Sequence, residues 1–203
     1  YGDMAGMVKV QQLLGKVYSM RGEYNDARTQ YEKSLDTAGV LGDRQALCRS
    51  YNLIGALLRR RGQALQAETF HRQSLALAEE LHDRLAVAMA HNNLGILHRE
   101  QSDLDAALRE FEAARAILAA LNHKPGLCAC YNNLANLHCS RGEFAEALVL
   151  HEKSLDLAEI LGDKSCVADC YNNIGVVLRA QGKPDDALRK FETCRDIKER
   201  MGD

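Results

Sequence analysis

Between His123 and Gly162 the apolar positions fall into two runs, each with helical spacing. Leu127, Cys130, Tyr131, Leu134, Leu137 and His138 are related by steps of three and four residues, which places them on one face of an amphipathic helix. Arg141-Gly142 closes that helix, because glycine adopts the left-handed conformation that ends a helix without steric cost. A second run follows through Phe144, Ala147, Leu148, His151, Leu155, Ala158 and Leu161. Gly162-Asp163 then ends the second helix and starts the next, aspartate being a good N-cap whose carboxylate accepts an orphan backbone N–H.

The same pattern recurs every 40 residues along the 203-residue chain. Gly2-Asp3, Gly42-Asp43, Gly162-Asp163 and Gly202-Asp203 share one register, with His82-Asp83 and Asn122-His123 as weaker copies. Gly22, Gly62, Gly142 and Gly182 mark the turn inside each unit, with Ser102 the exception. Gly15, Gly55, Gly95, Ala135 and Gly175 form a column of small residues that lets paired helices approach closely, and Ala27, Ala67, Ala107, Ala147 and Ala187 form another. Leu14, Ile54, Leu94, Leu134 and Ile174 are expected to fill the core, as are Leu41, Leu81, Leu121, Leu161 and Met201. The expectation is all-α: five hairpins in units of about 3–42, 43–82, 83–122, 123–162 and 163–203, forming one repeat domain. Each of the ten helices should run roughly 17 residues, or about 25 Å. One hairpin cannot bury its apolar faces alone, so each depends on its neighbours.

Leu14-Gly15 with Tyr18, then Gly22-x-Tyr24-x-x-Ala27-x-x-x-Tyr31, resembles the tetratricopeptide repeat, and the match recurs in register through all five units. The resemblance implies a right-handed superhelical solenoid whose concave side is lined by the first helix of each unit. The chain departs from the usual family unit of about 34 residues, which often carries a Trp near its start and a Pro near its end. The longer unit, with Asn-Asn-Leu-Gly in the first helix and a Gly-Asp joint, is similar to that of Pins-type adaptors and kinesin light chains.

Composition narrows the function. The chain is 46% hydrophobic with two prolines and no tryptophan, and its net charge of −2 gives no argument for nucleic acid or membrane as a partner. No apolar run approaches the roughly 20 residues of a membrane span. The start lacks both a signal peptide and an initiator Met, so the sequence reads as part of a longer array, with more helices expected beyond one or both ends. Seven cysteines, an odd number without disulfide-like spacing, point to reduced thiols and a cytoplasmic protein. The column pairs His98/His138 and Cys130/Cys170, the latter with Cys166 nearby, make zinc conceivable, but no CxxC or HExxH motif supports it. There is no phosphate-binding glycine loop and no local signature of a catalytic triad, so neither enzymatic activity nor a cofactor is expected.

What remains is a binding surface. On the first helices the stripe expected to face a ligand runs through Gln12, Asn52, Asn92, Asn132 and Asn172, then Lys16, Ala56, Ile96, Asn136 and Val176, then Ser19, Arg59, Arg99, Cys139 and Arg179. Lys9, Arg49, Asp169, Arg60 and Glu100 flank it. A carboxamide both donates and accepts, so an asparagine ladder can hold an extended peptide by its backbone. Equivalent asparagines do so in both similar families, so the resemblance implies that role. The alternative is that these asparagines bridge neighbouring helices. The second ladder, Asn93, Asn133 and Asn173, lies about 100° further round and suits that structural role better. Basic residues outnumber acidic ones on this stripe, which favours an acidic segment, phosphorylated or not, as ligand. The competing explanation is that Arg59, Arg60 and Arg61 merely complement a helix C-terminus. Two functions therefore stay open. One is an adaptor that captures an acidic, extended segment of a partner protein. The other is a regulatory or architectural module that binds its own parent chain or packs in a larger assembly.

Overall fold

The computed structural model describes residues 2–202, with side chains from Met4 to Gly202. Expectations resting on Tyr1, Asp203 and the Asp3 side chain lie outside the described residues. Ten helices follow one another: α1 (Gly2–Met20), α2 (Tyr24–Leu41), α3 (Arg44–Arg60), α4 (Ala64–Glu80), α5 (Arg84–Glu100), α6 (Leu104–Ala120), α7 (Lys124–Ser140), α8 (Phe144–Leu161), α9 (Lys164–Ala180) and α10 (Pro184–Met201). No strand occurs among the described residues. The architecture is the all-α solenoid type, built from helix–turn–helix units.

The helix boundaries follow from the joints. Asp43, Asp83 and Asp163 accept the backbone N–H of the residue three places on, at 2.9, 3.0 and 3.0 Å. Where the fourth unit carries histidine, His123 Nδ1 accepts from Gly126 N at 3.0 Å and does the same job. The turns need positive φ at Gly22, Gly62, Gly142 and Gly182, and Ser102 adopts φ 64° in the same place.

The chain divides into two compact units, Tyr1–Ser102 with α1 to α5 and Asp103–Asp203 with α6 to α10. In the first, each helix packs on the next, and α3 also touches both α1 and α5. Tyr31, Ile54, Leu57, Leu58 and Leu97 form its central cluster. In the second, α6 packs on α7, α7 on α8, α8 on α9 and α9 on α10. The alanine column is buried throughout. The glycine column faces a ring on the second helix of the hairpin: Gly15 meets Tyr31, Gly55 meets His71 and Gly175 meets Phe191. A methyl group at Gly55 would lie 2.7 Å from the imidazole, so the small residue is what lets that ring lie flat against α3.

The expected core columns need two corrections. Ile54, Leu94, Leu134 and Ile174 are buried, but Leu14 is exposed. Its counterparts Ile54 and Ile174 sit on helices packed by a preceding second helix, α2 or α8, whereas no described helix precedes α1. Leu121, Leu161 and Met201 are also exposed, because they sit at the joints, where the chain turns away from the core.

Candidate functional site

The first helices carry the candidate residues on faces that the core leaves open. On α3, Arg49 and Arg60 are exposed while Asn52 and Arg59 are half-buried. On α1 Lys16 is exposed, and on α5 Asn92 and Arg99 are half-buried. The second unit holds half-buried Asn132 and Asn136 on α7, and exposed Asn172 and Arg179 on α9. Gln12 does not belong with them. It is buried, and its Nε2 donates to Ser50 Oγ at 3.1 Å and to Ala46 O at 3.4 Å on α3.

Two members of the asparagine ladder, Asn52 and Asn132, are tied into the fold through their carbonyl oxygens. Asn93 Nδ2 donates to Asn52 Oδ1 at 2.6 Å, and Asn173 Nδ2 donates to Asn132 Oδ1 at 2.9 Å. Asn93 and Asn173 thus bridge adjacent first helices within their units, the role their sequence position suits. Because Asn52 Oδ1 can only accept, the 3.2 Å contact from His71 fixes that imidazole as the Nδ1–H tautomer. Burial holds the His71 pKa down to about 4, with Arg59 adding to the effect, so the ring is neutral near pH 7. At Asn52 and Asn132 the carbonyl oxygen is therefore occupied and the amide hydrogens remain. These two residues present donors, not the two-way pairing their chemistry alone would permit.

The charges are also arranged. Arg59 Nη1 bonds Glu100 Oε1 at 2.6 Å, which takes one arginine of the stripe into an ion pair. Asp169, the other acid on the stripe, lies 3.4 Å from Lys198 Nζ. Arg99 Nε is buried without a hydrogen-bond partner. Lys16 and Arg60, from different helices, line one cleft of about 200 Å³ together with Ser19, Tyr31, Leu53 and Leu57. Ser19 lies on the stripe expected from the sequence, whereas Tyr31 is a candidate that the sequence did not single out. Tyr31 occupies a column of rings that reads as core, and only its hydroxyl separates it from Phe111 and Phe191.

Chemistry of other kinds finds less support. No group of three metal-ligating side chains is assembled among the described residues. All seven cysteines are free, and five of them are buried. Cys128 and Cys166 place their sulfurs 3.2 Å apart between α7 and α9, a pairing different from the Cys130/Cys170 column read from sequence. Burial pushes the Cys166 thiol well above its ordinary pKa, the neighbouring thiols adding to the rise. His71 and His151 are fully buried core residues, and His138 pairs with Glu143 at 2.5 Å.

Comparison with known proteins places this geometry. The tetratricopeptide repeat model matches residues 46–120 and 127–200, and a second tetratricopeptide repeat model matches 11–43. The chain belongs to the tetratricopeptide repeat family. Among solved structures it is similar to BtubC from P. vanneervenii, with 23% identity, a TM-score of 0.80 and coverage of 98% of this chain and 82% of that one. It is also similar to kinesin light chain-like repeats of Podospora anserina, at 16% identity, TM-score 0.71 and 96% coverage of both chains. The Rap conjugation gene regulator of plasmid pLS20, solved with a Phr peptide, aligns at 17% identity and TM-score 0.84 over 99% of this chain and 56% of that one. Among curated proteins none matches. The matched family is a repeat family, not a catalytic one, and no described helix is long and apolar enough to cross a membrane.

Proposed function

We propose that this tetratricopeptide repeat protein is a non-enzymatic, cytoplasmic interaction scaffold that holds an extended acidic segment of a partner protein along its first helices. The observation that carries the reading is the state of the ladder: Asn52 and Asn132 have their oxygens occupied and their amide hydrogens left over. In the first unit the Asn52 donor shares the first helices with Lys16, Arg49, Arg60 and Arg99, a set that suits a ligand rich in acceptors, namely main-chain carbonyls and carboxylates. Asn92 and Arg59 belong to the same proposed set in the first unit, and Asn132, Asn136, Asn172 and Arg179 form its counterpart on the first helices of the second. A similar fold crystallised with a peptide, as the pLS20 regulator is, agrees with a peptide ligand. Selection of displayed peptides drawn from disordered protein segments tests the proposal. Acidic segments should be enriched on the wild type and lost from an Asn52→Ala/Asn132→Ala variant that keeps its helicity. Enrichment of neutral or basic segments, or binding unchanged in the variant, would overturn it.

One observation favours the architectural reading. Met7, Val10, Leu13 and Val17 form an exposed apolar stripe on α1. In hairpins further along the chain, the same columns lie against a preceding second helix. A protein that elutes as a larger assembly and becomes monomeric on Val10→Glu/Leu13→Glu substitution would support that reading over peptide capture.

A further inference from the structure

On the first helices of the first unit, one cleft brings two cations together. At the C-terminal end of α1 and α3, Lys16 and Arg60 come from different helices and border the same cleft, with the Ser19 hydroxyl on its wall. Its floor is Tyr31 of α2, whose ring lies against Gly15 in a position no side chain at residue 15 would allow. The corresponding residues on the other second helices are His71, Phe111, His151 and Phe191, so only this hairpin offers a phenol there. Tyr31 is buried, and burial pushes its phenol pKa up, while the nearby Arg60 guanidinium opposes that rise. Among the described residues neither Lys16 nor Arg60 forms an ion pair, whereas neighbouring Arg59 is held by Glu100. No carboxylate lines the cleft, and Leu53 and Leu57 supply an apolar wall for the stem of an incoming side chain. Its volume of about 200 Å³ suits a side-chain head and is too small for a folded segment.

We infer that the Lys16–Arg60 cleft is an anchor pocket for one anionic side chain of the ligand, a carboxylate or a phosphomonoester, gripped by the two cations and by the Ser19 and Tyr31 hydroxyls. Charge complementarity selects the occupant, since both cations lack a counter-charge and every other polar group in the cleft can donate. The inference rests on the first-helix face being the ligand face, and it fixes where along that face the ligand's acid is read.

Titration of the whole protein with inorganic phosphate and with glutarate, followed by NMR of the Tyr31 ring and the Lys16 side chain, tests the pocket. Saturable shifts confined to Lys16, Ser19, Tyr31 and Arg60 are expected, reduced at least tenfold in apparent affinity by Lys16→Met/Arg60→Met. Both substituted residues are exposed, so circular dichroism and melting should match the wild type. The anion that saturates at lower concentration names the source as carboxylate or phosphate. Shifts spread evenly over exposed bases such as Lys33 and Arg61 would mean an adventitious ion only and would overturn the pocket, as would no response at Tyr31. The same variant separates this inference from the function proposed above. Acidic peptides that bind it unchanged would remove the pocket and leave the scaffold reading standing. Anion binding at the cleft with no peptide enriched on the wild type would keep the pocket and remove the scaffold reading.

Discussion

His71 and His151 sit in the column that is aromatic elsewhere, and their burial makes them acid-sensitive points in the core. Each has its pKa held down to about 4 by burial. In the unfolded chain a histidine titrates near 6.5. Between those two values the unfolded chain takes up protons that the folded one refuses, so stability falls as pH drops through the window and levels off below about 4. A shift of this size corresponds to roughly 3 kcal/mol for each histidine. Urea midpoints measured from pH 7 to pH 4 should show the loss, and His71→Phe should remove part of it. Phe191 already occupies that column opposite Gly175, which shows that a benzene ring fits beside a glycine there. A midpoint that stays flat across the window in the wild type would mean that the imidazoles are charged or solvated in the folded state.

At the scale of the helix, close approach and helix propensity pull in opposite directions along the glycine column. An alanine in a helix interior is favoured over glycine by about 1 kcal/mol, while overpacking a close contact costs about 1–3 kcal/mol. Gly15→Ala and Gly175→Ala push a methyl group into the six-membered rings of Tyr31 and Phe191, so a net loss of up to about 2 kcal/mol is expected in each. Gly55→Ala should be milder, because the chain already pairs Ala135 with His151 in the same two columns. The cost there is the His71–Asn52 hydrogen bond, about 1 kcal/mol, since His151 beside Ala135 has no partner for either ring nitrogen. Denaturation of the three variants checks the order, and a loss at Gly55 equal to that at Gly15 would contradict it. The sequence made this column legible through its spacing, but not the identity of the ring each glycine faces. That pairing joins residues 16 positions apart on two different helices, and no periodicity within either helix specifies it.

For the molecule as a whole, repetition made the architecture readable. The Gly-Asp joints fixed where the helices end, and the alanine column fixed which faces pack, because each error in one unit is corrected by the other four copies. The candidate surface was less readable, for a physical reason. Asn52 and Asn93 are neighbours in space yet lie one repeat and one residue apart, so columns drawn at a spacing of 40 place them on separate ladders. The Arg59–Glu100 pair has the same offset of 41 and was likewise counted as two independent charges. What the columns could not express is the diagonal step from one first helix to the next.

That diagonal has a consequence for the entropy of recognition. An exposed asparagine samples several rotamers, and immobilising a flexible side chain on binding costs about 0.5–1.5 kcal/mol. Asn52 and Asn132 are held by their neighbours before any ligand arrives. Asn93→Ala should therefore weaken peptide binding several-fold, chiefly through a less favourable binding entropy, although Asn93 itself donates away from the ligand. Calorimetry on Asn93→Ala, Asn52→Ala and the double variant would measure this: the Asn93 effect should vanish once Asn52 is gone, and independent, additive losses would show that the bridge does not orient the ladder. For the ligand proposed above, a surface prepared in this way would leave most of the ordering to the incoming chain alone.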